Sequence, residues 1–488
     1  MCQSIYVTTS IPYVNGRPHI GFALELVQAD AIARYNRLLN KPTRFQTGTD
    51  ENAFKNVLSA RQQGVETREL VDCNAGVFRK LTQVLDLGAD DFVRTTEERH
   101  FKAVHRLWRQ LRCQDVYRKS YVGLYCTGCE DFYLERDLVD GLCPDHGAPP
   151  VKVEEENHFF RLSAYQEQIE ALIRTDRIRI VPAKRKQEVL RFVESGLQDI
   201  SISRDAGRVG GWGIPVPGDP SQVIYVWIDA LINYISGPGF AAGDDWKEFW
   251  NEEVKKIHVI GKNVWKFHAV YWPALLLSAG LPLPDEILIH GFLTENGRKI
   301  SKSQGTAINP FACAEKYGAD GVRYYLLRAV SPFDDGDFSS ERLGQLYNAD
   351  LANGLGNLCS RLTSLCQRST YGRYDGNRVP APPQGYTAAL ERCQFDRALE
   401  CLWAAIGQVN REIDQVKPWE LLRAGKGAQL GQHLDRWLRE LHCTAHWLAP
   451  FLPQASRRVL EVLGQDPILS CEALFPRADS TRKCNFLI

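Results

Sequence analysis

An α/β fold built on a parallel sheet, interrupted by a cysteine-bearing insertion and followed by an all-α helical bundle, is the architecture this sequence predicts. Three observations point to it. Strand-like apolar runs alternate with helical spacing over residues 1–113 and again over 221–340, the pattern of βα units wound into a parallel sheet. Between them, residues 114–220 hold paired cysteines, short strands and turn signals such as "DHGAPP" and "VPGD". After about residue 340 the strand signals stop and long apolar stripes at helical spacing take over.

In chain order, residues 4–9 alternate like a strand, and the loop "NGRPHIG" then opens an amphipathic helix with Leu24, Val27, Ala31, Tyr35 and Leu38 on one face. A second apolar segment runs into "TGTDENAF", with helical pattern following to about residue 113. The βα pattern returns with "QVIYVWIDALINYI", "KIHVIGKN", "EILIHGF" and the loop "ENGRKISKSQG". In the last third, Leu351, Leu355, Leu358, Leu362 and Leu365 form one stripe, and Phe395, Leu399, Leu402, Ile406, Val409 and Ile413 form another. A linker rich in Pro and Gly, 371–386, separates them.

A length of 488 residues suggests two to four domains, and 44% apolar residues describe a globular chain with a full core. Lys+Arg and Asp+Glu both total 59, which argues against nonspecific nucleic-acid binding but leaves room for a basic face. No charged-then-apolar leader opens the chain. The longest apolar run, "AVYWPALLLSAGLPL", is broken by Pro273 and Pro282, so no membrane span is expected. The expected compartment is the cytoplasm, with most of the 14 cysteines as thiols. "CNFLI" places Cys484 one residue too far from the end for a prenylation box. Met1 is the sole methionine where roughly ten are usual, a drift towards Leu and Ile.

Cys126-x2-Cys129-x13-Cys143-x2-His146 has two knuckles, each offering two ligands, and in a reducing compartment that spacing favours a closed, structural zinc site. His19 sits where the first helix begins, and a helix N-terminus with unpaired N–H groups suits a phosphate. Lys299 and Lys302 lie on a loop bounded by Gly297 and Gly305, able to close on a triphosphate.

Together, Pro-His-Ile-Gly near the start and Lys-Ile-Ser-Lys-Ser near residue 300 resemble the two signature motifs of class I aminoacyl-tRNA synthetases. "SIPYVNGRPHIG", "TGTDE", "RTTEERH", "SISR", "GWGIPVPGD", "YVWIDALINY", "HVIGKN…FH" and "KPWELL" resemble, in order, the methionyl-tRNA synthetase family. The resemblance covers essentially the whole chain. It implies a Rossmann-like catalytic domain in two halves, 1–113 and 221–340, a zinc-knuckle insertion at 114–220, and a helical anticodon-binding domain at 341–488.

It further implies a methionine–tRNA ligase, with Mg-ATP as substrate, a structural zinc, and L-methionine and tRNA(Met) as partners. The methionine pocket would be Ile11, Tyr13, Trp227, Leu231, Tyr234, Val264, His268 and Trp272, with Asp50 holding the ammonium group. His19, Lys299 and Lys302 would be catalytic. ATP would be bound by His19, Gly21, Gly261, Asn263, Lys299 and Lys302. The anticodon would meet Asn357, Arg361, Asn410 and Trp419. With no module after the bundle, a monomer is expected. Three departures fall around the nucleotide: Phe22 replaces the motif's second histidine, Asn52-Ala53 replace His-Gly, and Asn263 replaces an acidic residue. Each is a loss of the kind that costs on the order of ten- to a thousand-fold in rate. The alternatives these departures raise are a paralogue that passes the acyl group to a non-tRNA acceptor, and a weakly catalytic tRNA- or methionine-binding regulator.

Overall fold

Six strands form one parallel sheet: β1 (Ile5–Thr9), β2 (Thr43–Thr49), β3 (Asp91–Arg94), β4 (Arg179–Val181), β5 (Lys255–Gly261) and β6 (Glu286–His290), in the order β3-β2-β1-β5-β6-β4. The computed structural model describes residues 3–126, 131–133, 135, 138–144, 147–295, 297–300, 308–369, 371–376 and 378–478. Every residue of β1 and β6 is buried, as befits strands covered on both faces. Gly48 in β2 is required by close packing, because a Cβ there would come within 2.1 Å of the Val93 carbonyl oxygen on β3. The sequence leaves β1 in one direction towards β2 and β3 and returns on its other side as β5. That reversal makes the carboxyl ends of β1, β2 and β5 a natural ligand crevice.

The chain divides into two compact units. The first comprises 1–18, 41–80 and 89–290 and contains the whole sheet; the second comprises 19–40, 81–88 and 291–488. In the first unit, Tyr6, Phe240, Trp250, Trp272, Leu275 and Ile289 belong to one buried core. Val116–Cys126 and Val151–Phe160 pair antiparallel, flanked by Asp131–Tyr133 and Ile200–Ser201 in a four-stranded sheet. The edge strand β4 also arises from residues 114–220, so the chain rejoins the parallel sheet before residue 221. Three residues are too few to show a period, which is why this strand is not visible as a pattern.

The second unit is helical: α1 (Ile20–Leu38), α2 (Pro310–Arg328), α3 (Asn357–Ser369), α4 (Phe395–Val416), α5 (Pro418–Arg423), α6 (Gly427–Leu448) and α7 (Pro453–Leu463). Ser340–Leu346 leads through a π-helical stretch, Tyr347–Gly356, into α3. The leucine stripe 351–365 and the α4 stripe are buried throughout. The amphipathic reading of α1 needs correction. It is buried on nearly every side, Glu25, Gln28 and Asp30 included. Asp30 tolerates burial because Arg323 and Arg34 approach its carboxylate at 2.7 Å each and the Gly88 N–H donates to it at 2.7 Å. Arg323, itself fully buried, also donates to the carbonyls of Phe451 at 2.7 Å and Pro450 at 2.9 Å. Removing one partner of such a pair leaves a buried charge and costs about 3–5 kcal/mol.

Candidate active site

In the first unit the end of β2 is drawn to the segment after β1. The Asp50 N–H donates to the Pro12 carbonyl at 2.9 Å, and Tyr13 and Asp50 add one residue pair to the parallel ladder. Asp50 is only 1% exposed, so its carboxylate is shielded from bulk water. Ile11 and Tyr13 are half-buried beside it. The Tyr13 ring lies 5.7 Å from Trp227, and Trp227 stacks on Phe267 at 4.1 Å with 8° between planes. Leu231, Val264 and Trp272 are buried.

His268 rides on a π-helical turn, Phe267–Tyr271, a local distortion often found at functional positions. Its Nδ1 lies 2.9 Å from the Val264 carbonyl, which can only accept. Nδ1 therefore carries the proton, and Nε2 accepts from the Tyr234 hydroxyl at 2.6 Å. Burial pulls the His268 pKa down from 6.5 to about 4, so the imidazole is neutral at pH 7. Tyr234 also packs at 4.1 Å on His258, whose Nδ1 meets the Thr8 hydroxyl at 2.7 Å and whose pKa burial holds well below the ordinary value. This is a largely aromatic lining, with the Asp50 carboxylate on the adjoining loop. Sequence reasoning did not name Phe267 or His258 as site residues, although both stand inside the quoted motif "HVIGKN…FH".

The Asp50 loop is fastened from behind. Glu51, fully buried, receives Arg94 on both oxygens at 2.6 and 2.9 Å and Thr49 at 2.8 Å, with Thr96 also donating to it. The Asn52 amide donates to Asp229 Oδ2 at 2.7 Å and to the Thr95 carbonyl at 3.1 Å. Asp229 Oδ1 meets His100 Nε2 at 2.6 Å, and His100 Nδ1 meets the Ser236 hydroxyl at 2.8 Å. Asp229 lies in the short helix Val226–Leu231 that carries Trp227 and Leu231. Asn52 is thus a buried tie between the Asp50 loop and the pocket helix. Gly261 closes β5, and the exposed Asn263 follows in a turn closed by Val264 N–H donating to Gly261 at 3.2 Å.

In the second unit His19 is the N-cap of α1, its Nδ1 accepting from the Gly21 N–H at 3.1 Å. A Cβ on residue 21 would come within 3.0 Å of that ring, so the cap needs glycine. The Ile20 N–H donates to Ile308 at 2.9 Å and the Phe22 N–H to His19 at 3.0 Å. The first N–H groups of the helix, expected to be open, therefore have partners within the protein. Phe22 is half-buried. Lys299 ends a hairpin of Leu293–Glu295 with Arg298–Lys299, turned by Gly297 at φ 72°, and Ile300 is buried. Lys302 lies outside the described residues.

Of the predicted metal ligands, Cys126 and Cys143 are buried, while Cys129 and His146 lie outside the described residues. Among the described residues, no three His, Cys, Asp or Glu side chains are grouped to hold a metal. The Gly147 N–H donates to the Cys143 carbonyl at 2.8 Å, and Gly147 adopts φ 62°. Cys126 ends the strand Val116–Cys126 and Cys143 opens this turn, each a buried thiol of the kind a zinc ion takes.

In the bundle, Arg361 on α3 reaches Asp414 of α4 at 2.6 Å, one helical turn beyond Asn410. Asn357 is exposed on α3. Trp419 on α5 is 37% exposed, among the few large apolar side chains at the surface of the described residues, so it is not a core anchor.

Comparison with known proteins follows the same segments. The family model described as tRNA synthetases class I (M) matches residues 5–150 and 145–363. A methionine–tRNA ligase of Brucella suis biovar 1 is 41% identical over 95% of this chain and 92% of its own length. One from Thermotoga maritima is 39% identical over 94% of this chain and 75% of its own. The structure of Mycobacterium tuberculosis methionyl-tRNA synthetase in complex with methionyl-adenylate superposes with a TM-score of 0.89 and 36% identity, covering 97% of this chain and 100% of that one.

Proposed function

The chain belongs to the class I tRNA synthetases of the methionine branch, and from that premise we propose that it joins L-methionine to tRNA(Met) in two steps at the expense of ATP. The observation behind the choice of amino acid is the aromatic pocket around the neutral Tyr234–His268 pair. A thioether needs apolar and aromatic contacts and no counter-ion, and its sulfur gains from ring edges such as those of Trp227 and Trp272. Asp50 is the one carboxylate beside the pocket among the predicted ligands, and it pairs with the substrate ammonium.

In the first step the methionine carboxylate attacks the α-phosphate of Mg-ATP, forming methionyl-adenylate and releasing pyrophosphate. No protein nucleophile is required, so catalysis consists of positioning and of stabilising phosphate charge. His19, Lys299 and Lys302 are assigned that stabilisation, with Gly21, Gly261 and Asn263 completing the nucleotide contacts. In the second step a terminal ribose hydroxyl of the tRNA takes the acyl group. Trp419, Asn357, Arg361 and Asn410 read the anticodon, an aromatic platform with polar neighbours suited to unstacked bases.

Cys126, Cys129, Cys143 and His146 would hold a structural zinc, which would supply folding stability. Among the described residues no helix is long and apolar enough to cross a membrane. The non-tRNA acceptor and the regulator are disfavoured, because similarity to methionine–tRNA ligases extends over 95% of the chain, bundle included.

Methionine-dependent ATP–pyrophosphate exchange tests the first step, and charging of tRNA(Met) tests the second. Exchange with methionine but with no other amino acid is expected; its absence, or exchange with a different amino acid, overturns the proposal. Phe22→His run alongside shows whether the aromatic substitution limits the rate.

A further inference from the structure

The C-terminal segment after α7 is strapped along the helix that begins at Ser340. Tyr347 donates to the Pro476 carbonyl at 3.0 Å, the Ala478 N–H donates to Asn348 at 3.0 Å, and Arg477 donates to Asn353 at 2.9 Å. Further along, the Ser470 N–H donates to Gln367 at 3.1 Å and the Cys471 N–H to the Thr363 hydroxyl at 3.2 Å. These last bonds bring two thiols together. Cys471 Sγ, half-buried, lies 3.5 Å from Cys359 Sγ, buried in α3 two residues from both Asn357 and Arg361.

We propose that Cys359 and Cys471 form a redox-modification site, which a peroxide converts into a reversible disulfide tying the C-terminal strap to α3. The hydrogen bond from the Cys359 thiol holds the Cys471 pKa down, at about 5, and raises that of Cys359 itself. Cys471, half-buried where Cys359 is buried, is the accessible partner, and a lowered pKa at an accessible sulfur favours reaction with oxidants. Its sulfur attacks one peroxide oxygen; the O–O bond breaks, and hydroxide leaves and takes a proton to become water. The Cys359 sulfur then attacks the resulting sulfenic acid. The S–O bond breaks, a second water leaves with the Cys359 proton, and the S–S bond forms. Two thiols are oxidised and one peroxide is reduced to two waters.

The functional consequence rests on the anticodon reading of α3; the bond itself does not. A covalent tie at Cys359 pulls on the buried face of the helix whose opposite side presents Asn357 and Arg361. Charging should therefore fall while methionine activation continues.

The full chain is treated briefly with hydrogen peroxide, remaining thiols are blocked with an alkylating maleimide, and peptides are mapped without reduction. A linked Cys359–Cys471 peptide is expected, together with a several-fold loss of tRNA charging, unchanged pyrophosphate exchange and recovery with dithiothreitol. Cys471→Ser, with Cys359→Ala as a second variant, should yield no linked peptide and keep charging after peroxide. Alkylation of both thiols, or Cys471 recovered as sulfinic acid without a link, overturns the site. A linked peptide with full charging overturns the consequence. Arg361→Ala, assayed separately, reports on the anticodon reading: unchanged charging there overturns that reading and leaves the disulfide standing.

Discussion

The proposed methionine pocket and the proposed anticodon face of the bundle would recognise their partners by opposite means. In the pocket three buried polar side chains are tied by hydrogen bonds: Tyr234 to His268, His268 to Val264, and Asn52 to Asp229. Trp272 has no exposed surface at all. On the bundle, Trp419 shows more than a third of its surface, and Arg361 pairs with the largely exposed Asp414. A small apolar amino acid has few atoms with which to reward binding, so its site must be rigid and dry beforehand. A tRNA loop brings whole bases that stack on an open ring, so an exposed platform suffices. Residues that recognise a small substrate thus look like core, while those that recognise a macromolecule look like surface anomalies.

The contrast makes graded predictions. The largest concerns Asp50: Asp50→Ala should lower methionine-dependent exchange by roughly a hundredfold or more, since it removes the charge partner of the ammonium. Charging should fall in parallel, and an intact exchange rate would remove Asp50 from the pocket.

Next is the pH response of the buried histidine. Native His268 binds its proton only near pH 4, whereas the unfolded side chain binds it near 6.5. Below 6.5 the unfolded state holds the extra proton, so the contribution is whole above 6.5 and is lost as pH falls towards 4. It amounts to on the order of 3 kcal/mol. Urea unfolding from pH 7 to 4 should show this loss, and His268→Gln should flatten the slope in that window. Equal slopes in both proteins would contradict a neutral buried ring.

Trp419→Ala should lower charging by roughly ten- to a hundredfold, from one lost stacking platform, and leave exchange untouched. A matching fall in exchange would make Trp419 structural and erase the comparison. Smallest is the Arg361–Asp414 pair. Asp414→Ala should change stability by about 0–1 kcal/mol, as exposed ion pairs do, measurable as a small shift in thermal midpoint.

Much of the architecture could be read from the sequence, because period is a local property. The leucine stripe of 351–365 and the α4 stripe are buried as their spacing requires. The parallel sheet follows from alternating strand and helix signals, apart from β4, too short to display a period. Resemblance named the pocket side chains, and the structure brings Tyr13, Asp50 and Trp227 together. It did not reveal Phe267 under Trp227 or His258 beneath Tyr234, since each pair joins residues 24 or more positions apart that only the fold brings together.

By itself, then, the sequence determined the strand and helix rhythm, the cysteine spacing and the family motifs, all of which are written in short windows of the chain. Only the tertiary structure decided that Asp30 is a buried ion and not a solvated one, that Asn52 is a tie to Asp229, and that Cys359 lies against Cys471. The physical reason is the same in each case. Whether a polar side chain can be buried, and which proton or charge state it keeps, depends on partners that the fold brings from far along the chain.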